Sequence, residues 1–142
     1  MGLYEELREH YSSRFEFEEK KIENLFREIE KYISPSVIYG FYPKNLFAEN
    51  KEVEFYVFLA NKLIILQSNK NEYVFTSIRS IKNLVNYNIE RALDYDRIQK
   101  VIFEFLNQET IIFEPQEDTN YHWRQCFSEE LEIISKSIIG IW

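Results

Sequence analysis

Between residues 36 and 115 the chain is cut into six short runs rich in aromatic and β-branched side chains: "SVIYGFY", "VEFYVFLA", "KLIILQS", "EYVFTSI", "KVIFEFL" and "TIIFEP". Such residues fit the pleated surface of a sheet. The spacers "NK" at 61–62, "NKN" at 69–71 and "NQE" at 107–109 are too short for a crossover helix. Parallel neighbours need a dozen or more residues between them, so these strands are antiparallel. In the second run Val53, Phe55, Val57 and Leu59 share one face at period two. The stretch 78–97 carries no clear period, and Ile78, Ile81, Leu84 and Val85 suit a helical turn or an irregular strand equally.

Helical spacing brackets the strands. Ile22, Leu25, Phe26, Ile29, Tyr32 and Ile33 form one apolar stripe, and Leu3, Tyr4, Leu7 and Tyr11 suggest a shorter helix before it. Ser13 with Glu16 fits a capping box, Glu16–Lys20 and Glu23–Arg27 are favourable pairs, and "SPS" at 34–36 ends the helix. At the other end Trp123, Phe127, Leu131, Ile134 and Ile138 define a second amphipathic helix, with Thr119 or Asn120 as its N-cap and Gly140 as its C′ residue. The expected fold is α+β. It consists of an N-terminal helical segment, 1–35, and an α+β body, 36–142, forming a single compact domain.

Charge excludes some functions. With 24 acids against 17 basic residues the net charge is −7. Nucleic-acid binding needs phosphates neutralised by Lys and Arg, so it is not expected. The single cysteine cannot form an internal disulfide, and three isolated glycines cannot build a phosphate loop. The opening "MGLYEELREH" lacks the apolar run of a signal peptide, and Glu6 stands where a myristoylation pattern wants Ser or Thr. A cytoplasmic location is expected.

The order "FYVFLANKLIILQS", "YVFTSIRSIKNL", "KVIFEFLNQETIIFEP" and then the helix beginning at "NYHWRQCF" resembles the bacterial pleckstrin-homology-like (PH and GRAM-like) domains over roughly residues 36–139. That resemblance implies an antiparallel meander or partly open barrel closed by the C-terminal amphipathic helix, with the N-terminal helix as an addition. It also implies a headgroup site built on a basic residue of the first strand and a basic cluster on the second. Here the loop between them offers Lys44 and Lys51, but the next strand opens on Glu52 and Glu54.

Catalytic constellations are sparse. His122 and Cys126 would sit one helical turn apart, which suits a metal or a thiolate–imidazole pair. A zinc site wants further ligands, and only His10 and acids such as Glu129 or Glu130 could supply them. Cys126 reads better as a small apolar residue on the flank of the helix seam. Asp94 and Asp96 beside Arg97 read as a solvated loop. No catalytic residue, metal or cofactor is expected. Aromatic crowding offers more: Tyr39, Phe41, Tyr42 and Phe47 surround Pro43, with Tyr87 and Tyr95 flanking a second loop. Those left outside the core would form a patch of the kind enriched at interfaces.

The expectation is therefore a non-catalytic module that binds a protein or peptide, using a sheet edge and Tyr39, Phe41, Tyr42, Lys44, Phe47 and Lys51. The alternatives are an anionic lipid headgroup or membrane surface met by Lys44, Lys51 and Lys70, and an acidic inhibitor or immunity-type protein. The N-terminal stripe is covered either by its own domain or by a partner, including a second copy in a homodimer.

Overall fold

Phe55, Tyr56, Val57 and Phe58 are all buried without a polar break, because the strand that carries them is covered on both faces. The computed structural model describes residues 2–12, 20–68 and 73–141. Two helices come first, α1 (Leu3–Ser12) and α2 (Lys20–Tyr32). Four strands follow: β1 (Gly40–Lys44), β2 (Glu54–Phe58), β3 (Lys62–Ser68) and β4 (Val74–Ser80). Three more, β5 (Leu84–Ala92), β6 (Arg97–Phe105) and β7 (Thr110–Phe113), lead through a single turn, α3 (Pro115–Asp118), into α4 (Arg124–Ile141). All strand pairs are antiparallel, in two sheets ordered β1-β2-β3-β4 and β5-β6-β7. The fold is α+β, and the two sheets are not closed into a barrel.

Register assigns the faces. Phe41 pairs with Val57 and Val57 with Ile64, so these three share one face of the first sheet. The N-terminal helices cover that face: Phe26 lies 4.9 Å from Phe55 and Tyr4 lies 5.2 Å from Phe41 between ring centroids. Tyr42, Tyr56 and Phe58 point the other way, towards the second sheet. Tyr42 stacks on Phe113 at 4.1 Å, and Phe58 lies 5.7 Å from Phe103. The molecule is thus layered helix, sheet, sheet, with α4 packed against β1 and β6. Residues of α1 and α2 belong to the same buried cluster as the strands. The helical stripe is covered by its own chain.

Local details adjust several expectations. The capping box of Ser13 and Glu16 and the Glu16–Lys20 pair lie outside the described residues. Arg27 does reach Glu23 at 3.1 Å, while Tyr32 ends α2 and is 77% exposed, off the buried stripe. Asn120 is the N-terminal cap before α4, its Oδ1 accepting the Trp123 N–H at 3.2 Å. Gly140 is not a C′ residue, because the helix continues through Ile141. The ambiguous stretch 78–97 is the end of β4, a 3₁₀ turn at Ile81–Asn83 and all of β5.

Gly40 has a packing reason to lack a side chain. A Cβ built there would lie 2.4 Å from Ile134 Cγ1, where α4 crosses the start of β1. Overpacking of this kind typically costs about 1–3 kcal/mol. Gly40→Ala is therefore expected to lower the urea midpoint by an equivalent amount with an unchanged m-value. A midpoint equal to that of the parent would show that Ile134 can move aside freely.

Candidate functional site

The aromatic segment 39–47 does not form a surface patch. Alternation along β1 sends Phe41 to the helix layer and Tyr42 to the second sheet, and both are fully buried because the sheet is covered on each side. Phe47 is half-buried at φ 68°, a conformation few aromatic residues adopt, and its ring stacks on Trp123 at 5.2 Å. Tyr39 alone stays exposed. Lys44 donates to the Ile112 carbonyl at 2.7 Å and Lys51 to the Glu117 carbonyl at 2.7 Å. Both ammonium groups thus bond to the chain itself, tying β1 and its following loop to β7 and α3. Lys70 lies outside the described residues.

His122 precedes α4, so the one-turn spacing to Cys126 does not apply to it. Burial and the nearby Glu6 and Glu129 charges push the Cys126 thiol up, away from a reactive thiolate. Among the described residues no group of three or more His, Cys, Asp and Glu is placed to hold a metal. Asp94 and Asp96 are exposed in the turn between β5 and β6, where Asp96 adopts φ 50°.

Sequence reasoning missed two buried acids. Asp118 accepts the Tyr42 hydroxyl at 2.8 Å and the Glu114 amide at 2.6 Å, and burial raises its carboxyl above the ordinary range. Glu130, on the inner face of α4, accepts the Phe41 N–H at 2.8 Å. The Leu3 amide at the start of α1 also donates to it, yet burial carries its carboxyl up to about 7. A signal for Glu130 existed: it lies three residues after Phe127 and four before Ile134, on the apolar seam.

Sheet edges differ in how they are finished. The Phe41 N–H of edge strand β1 is taken by Glu130, and the Ile112 carbonyl of edge strand β7 by Lys44. Strand β5 is interrupted by register shifts at Leu84/Asn86 and Glu90/Arg91, and it presents Glu90 and Arg91. Bulges, charges and side-chain caps are the usual protections of an edge. Strand β4 has no bulge over its seven residues, and its one side-chain cap among the described residues is Arg79, whose Nη1 donates to the Ile78 carbonyl at 3.4 Å. It pairs with β3 in unbroken register, and its only charged residue, Arg79, is held by Glu109 at 2.6 Å. Phe75 and Ile78 are 59% and 58% exposed on it. Among the described residues β4 has no strand on its outer side.

These features define an α+β domain of two antiparallel sheets layered by helices, with β4 unpaired on its outer side among the described residues. The chain belongs to the family described as Protein of unknown function (DUF3908), whose family model matches residues 4–129. The match takes in α1 from its second residue, α2 and all seven strands. No curated protein and no solved structure matches the chain. No helix among the described residues is long and apolar enough to cross a membrane.

Proposed function

We propose that the protein is a non-catalytic binding module of pleckstrin-homology-like architecture that takes an extended segment of a partner protein along β4. A four-stranded and a three-stranded sheet followed by a closing helix support the architecture. The observation that carries the binding reading is the unbulged β4 edge, which has no strand on its outer side among the described residues and exposes Phe75 and Ile78 on a regular strand. Strand addition there gives affinity through backbone hydrogen bonds and specificity through pockets for alternate side chains. The ligand chemistry follows from the strand. Val74–Ser80 carries no acid and no unpaired cation, so the matching segment is β-prone and apolar rather than charged.

The test is selection of peptides from a random library on the intact protein, with backbone amide shifts used to map the selected sequences. Shifts running along β4 are expected. Ile78→Lys and Phe75→Lys, both at exposed positions, should each weaken binding by about tenfold or more (1.4 kcal/mol) while leaving the unfolding midpoint unchanged. Selected peptides that map elsewhere, or that bind both variants as tightly as the parent, would sink the reading.

A further inference from the structure

Four of the six arginines among the described residues are answered by a carboxylate. Among the described residues Arg8 is paired with Glu23 and Glu30, Arg27 with Glu23, Arg79 with Glu109, and Arg91 with Asp96 and Glu132. Arg97 and Arg124 are the two exceptions, and they line the same cleft. It lies where the first residues of β6 meet α3 and the start of α4. None of its lining residues is an acid, in a protein with 24 of them.

The two guanidinium groups in this cleft are unspent among the described residues. Arg124 is half-buried and has no ion pair or hydrogen bond among the described residues, its Nε shut off from solvent and the rest of the guanidinium left to face the cleft. Its guanidinium is placed over the Tyr121 ring, 5.9 Å from the centroid, a contact that positions the group without using its N–H bonds. A buried donor left unpaired is costly, so its place beside an open cleft calls for a reason. Gln99 and Gln116 add amide side chains to the wall. Ser128 is already occupied, donating to the Ile98 carbonyl at 2.8 Å, which fixes the cleft floor to β6.

We propose that this cleft is a binding site for a phosphate monoester, a function separate from peptide capture on β4. A monoester carries about −1.5 to −2 charges near neutral pH and three acceptor oxygens, which balances two guanidinium groups. A carboxylate would be satisfied by one arginine fork and would leave the second without a partner. The volume of about 280 Å³ holds the phosphate and a small organic group. It is at the lower edge of the roughly 300–1,000 Å³ typical of ligand pockets, so an extended ligand does not fit inside it.

Two arms distinguish a soluble ligand from a lipid headgroup. In the first, ¹⁵N-labelled full-length protein is titrated with inorganic phosphate and with glycerol phosphate. In the second, phosphatidylcholine vesicles with and without phosphatidic acid are tested for co-sedimentation. Saturable shifts are expected at the Arg124 Nε–H and at the amides of Ile98, Gln99 and Ser128. Arg124→Gln should weaken binding by at least about tenfold (1.4 kcal/mol), and Arg97→Gln several-fold. Arg97 is exposed, so its variant keeps the test valid should Arg124→Gln fail to fold. Binding confined to phosphatidic acid vesicles and lost in the same variants supports the site and makes the ligand a headgroup. Absence of saturable binding in both arms overturns the proposal, as does binding that neither substitution alters.

Discussion

Phe26→Ala is expected to remove about 3–5 kcal/mol of stability and to do so in a single cooperative transition. The side chain is fully buried where all the N-terminal packing meets. Its ring lies 5.5 Å from Tyr4, 5.8 Å from Phe41 and 4.9 Å from Phe55, and the Arg8 guanidinium covers it at 5.2 Å. Truncation therefore opens a cavity shared by α1, α2 and two strands. The ion pairs between the helices cannot compensate. Arg8 meets Glu23 at 2.6 Å and Glu30 at 2.8 Å, but the guanidinium is partly exposed, and exposed pairs are typically worth about 0.2–1 kcal/mol. Were the N-terminal segment only an appendage, the substitution would release the helices and leave the sheets intact. Guanidinium unfolding followed by tryptophan fluorescence and by far-ultraviolet circular dichroism separates the outcomes. Coincident midpoints, both lowered, fit one core; an early loss of helix signal with an unshifted fluorescence midpoint would contradict it.

That shared core is where sequence and structure part company most instructively. The strands were legible because aromatic and β-branched runs with short spacers leave no other folding route. The helices were legible from their stripes. The number of layers was not. "FYVF" and "LIIL" lack polar breaks because both faces of the first sheet are covered, whereas period-two spacing marks only Val53, Phe55, Val57 and Leu59. The same cause dismantles the expected aromatic patch. Phe41 and Tyr42 are as aromatic inside the molecule as outside it, and composition cannot say which side of a sheet is covered. Strand β5 escaped because an edge strand with mostly exposed residues has no apolar period to read. Nor does a sequence state which strand will be an unbulged edge, or which arginines will lack carboxylates. Arg97 and Arg124 come together only through the packing of β6 against α3 and α4.

Glu130 predicts an unusual pH dependence. Burial lifts its carboxyl from the ordinary 4.5 to about 7, and the Glu5 and Glu6 charges on α1 act in the same direction. The amides of Phe41 and Leu3 oppose the shift without cancelling it. A raised folded-state pKa means that the native protein holds a proton the unfolded chain has released. The associated stability is complete below about pH 4.5 and is lost as pH rises through about 7. At about 1.4 kcal/mol per unit, the loss is on the order of 3 kcal/mol. Asp118, raised by burial, adds to the same trend. Glu23 and Glu109 act oppositely: Arg8 and Arg79 hold their carboxyls low, so their contribution is present above the ordinary range and disappears in acid. Maximal stability is therefore expected in mildly acidic solution, with a decline towards neutrality. Glu130→Gln keeps an acceptor for the edge of β1 and removes the titration. Urea midpoints of parent and variant at about pH 5 and about pH 8 provide the check. The variant should lose less stability than the parent between those conditions, retaining only the share that Asp118 contributes. Equal losses in the two proteins would show that Glu130 ionises freely in the folded state, and that the link from α4 to Phe41 and Leu3 is looser than its hydrogen bonds indicate.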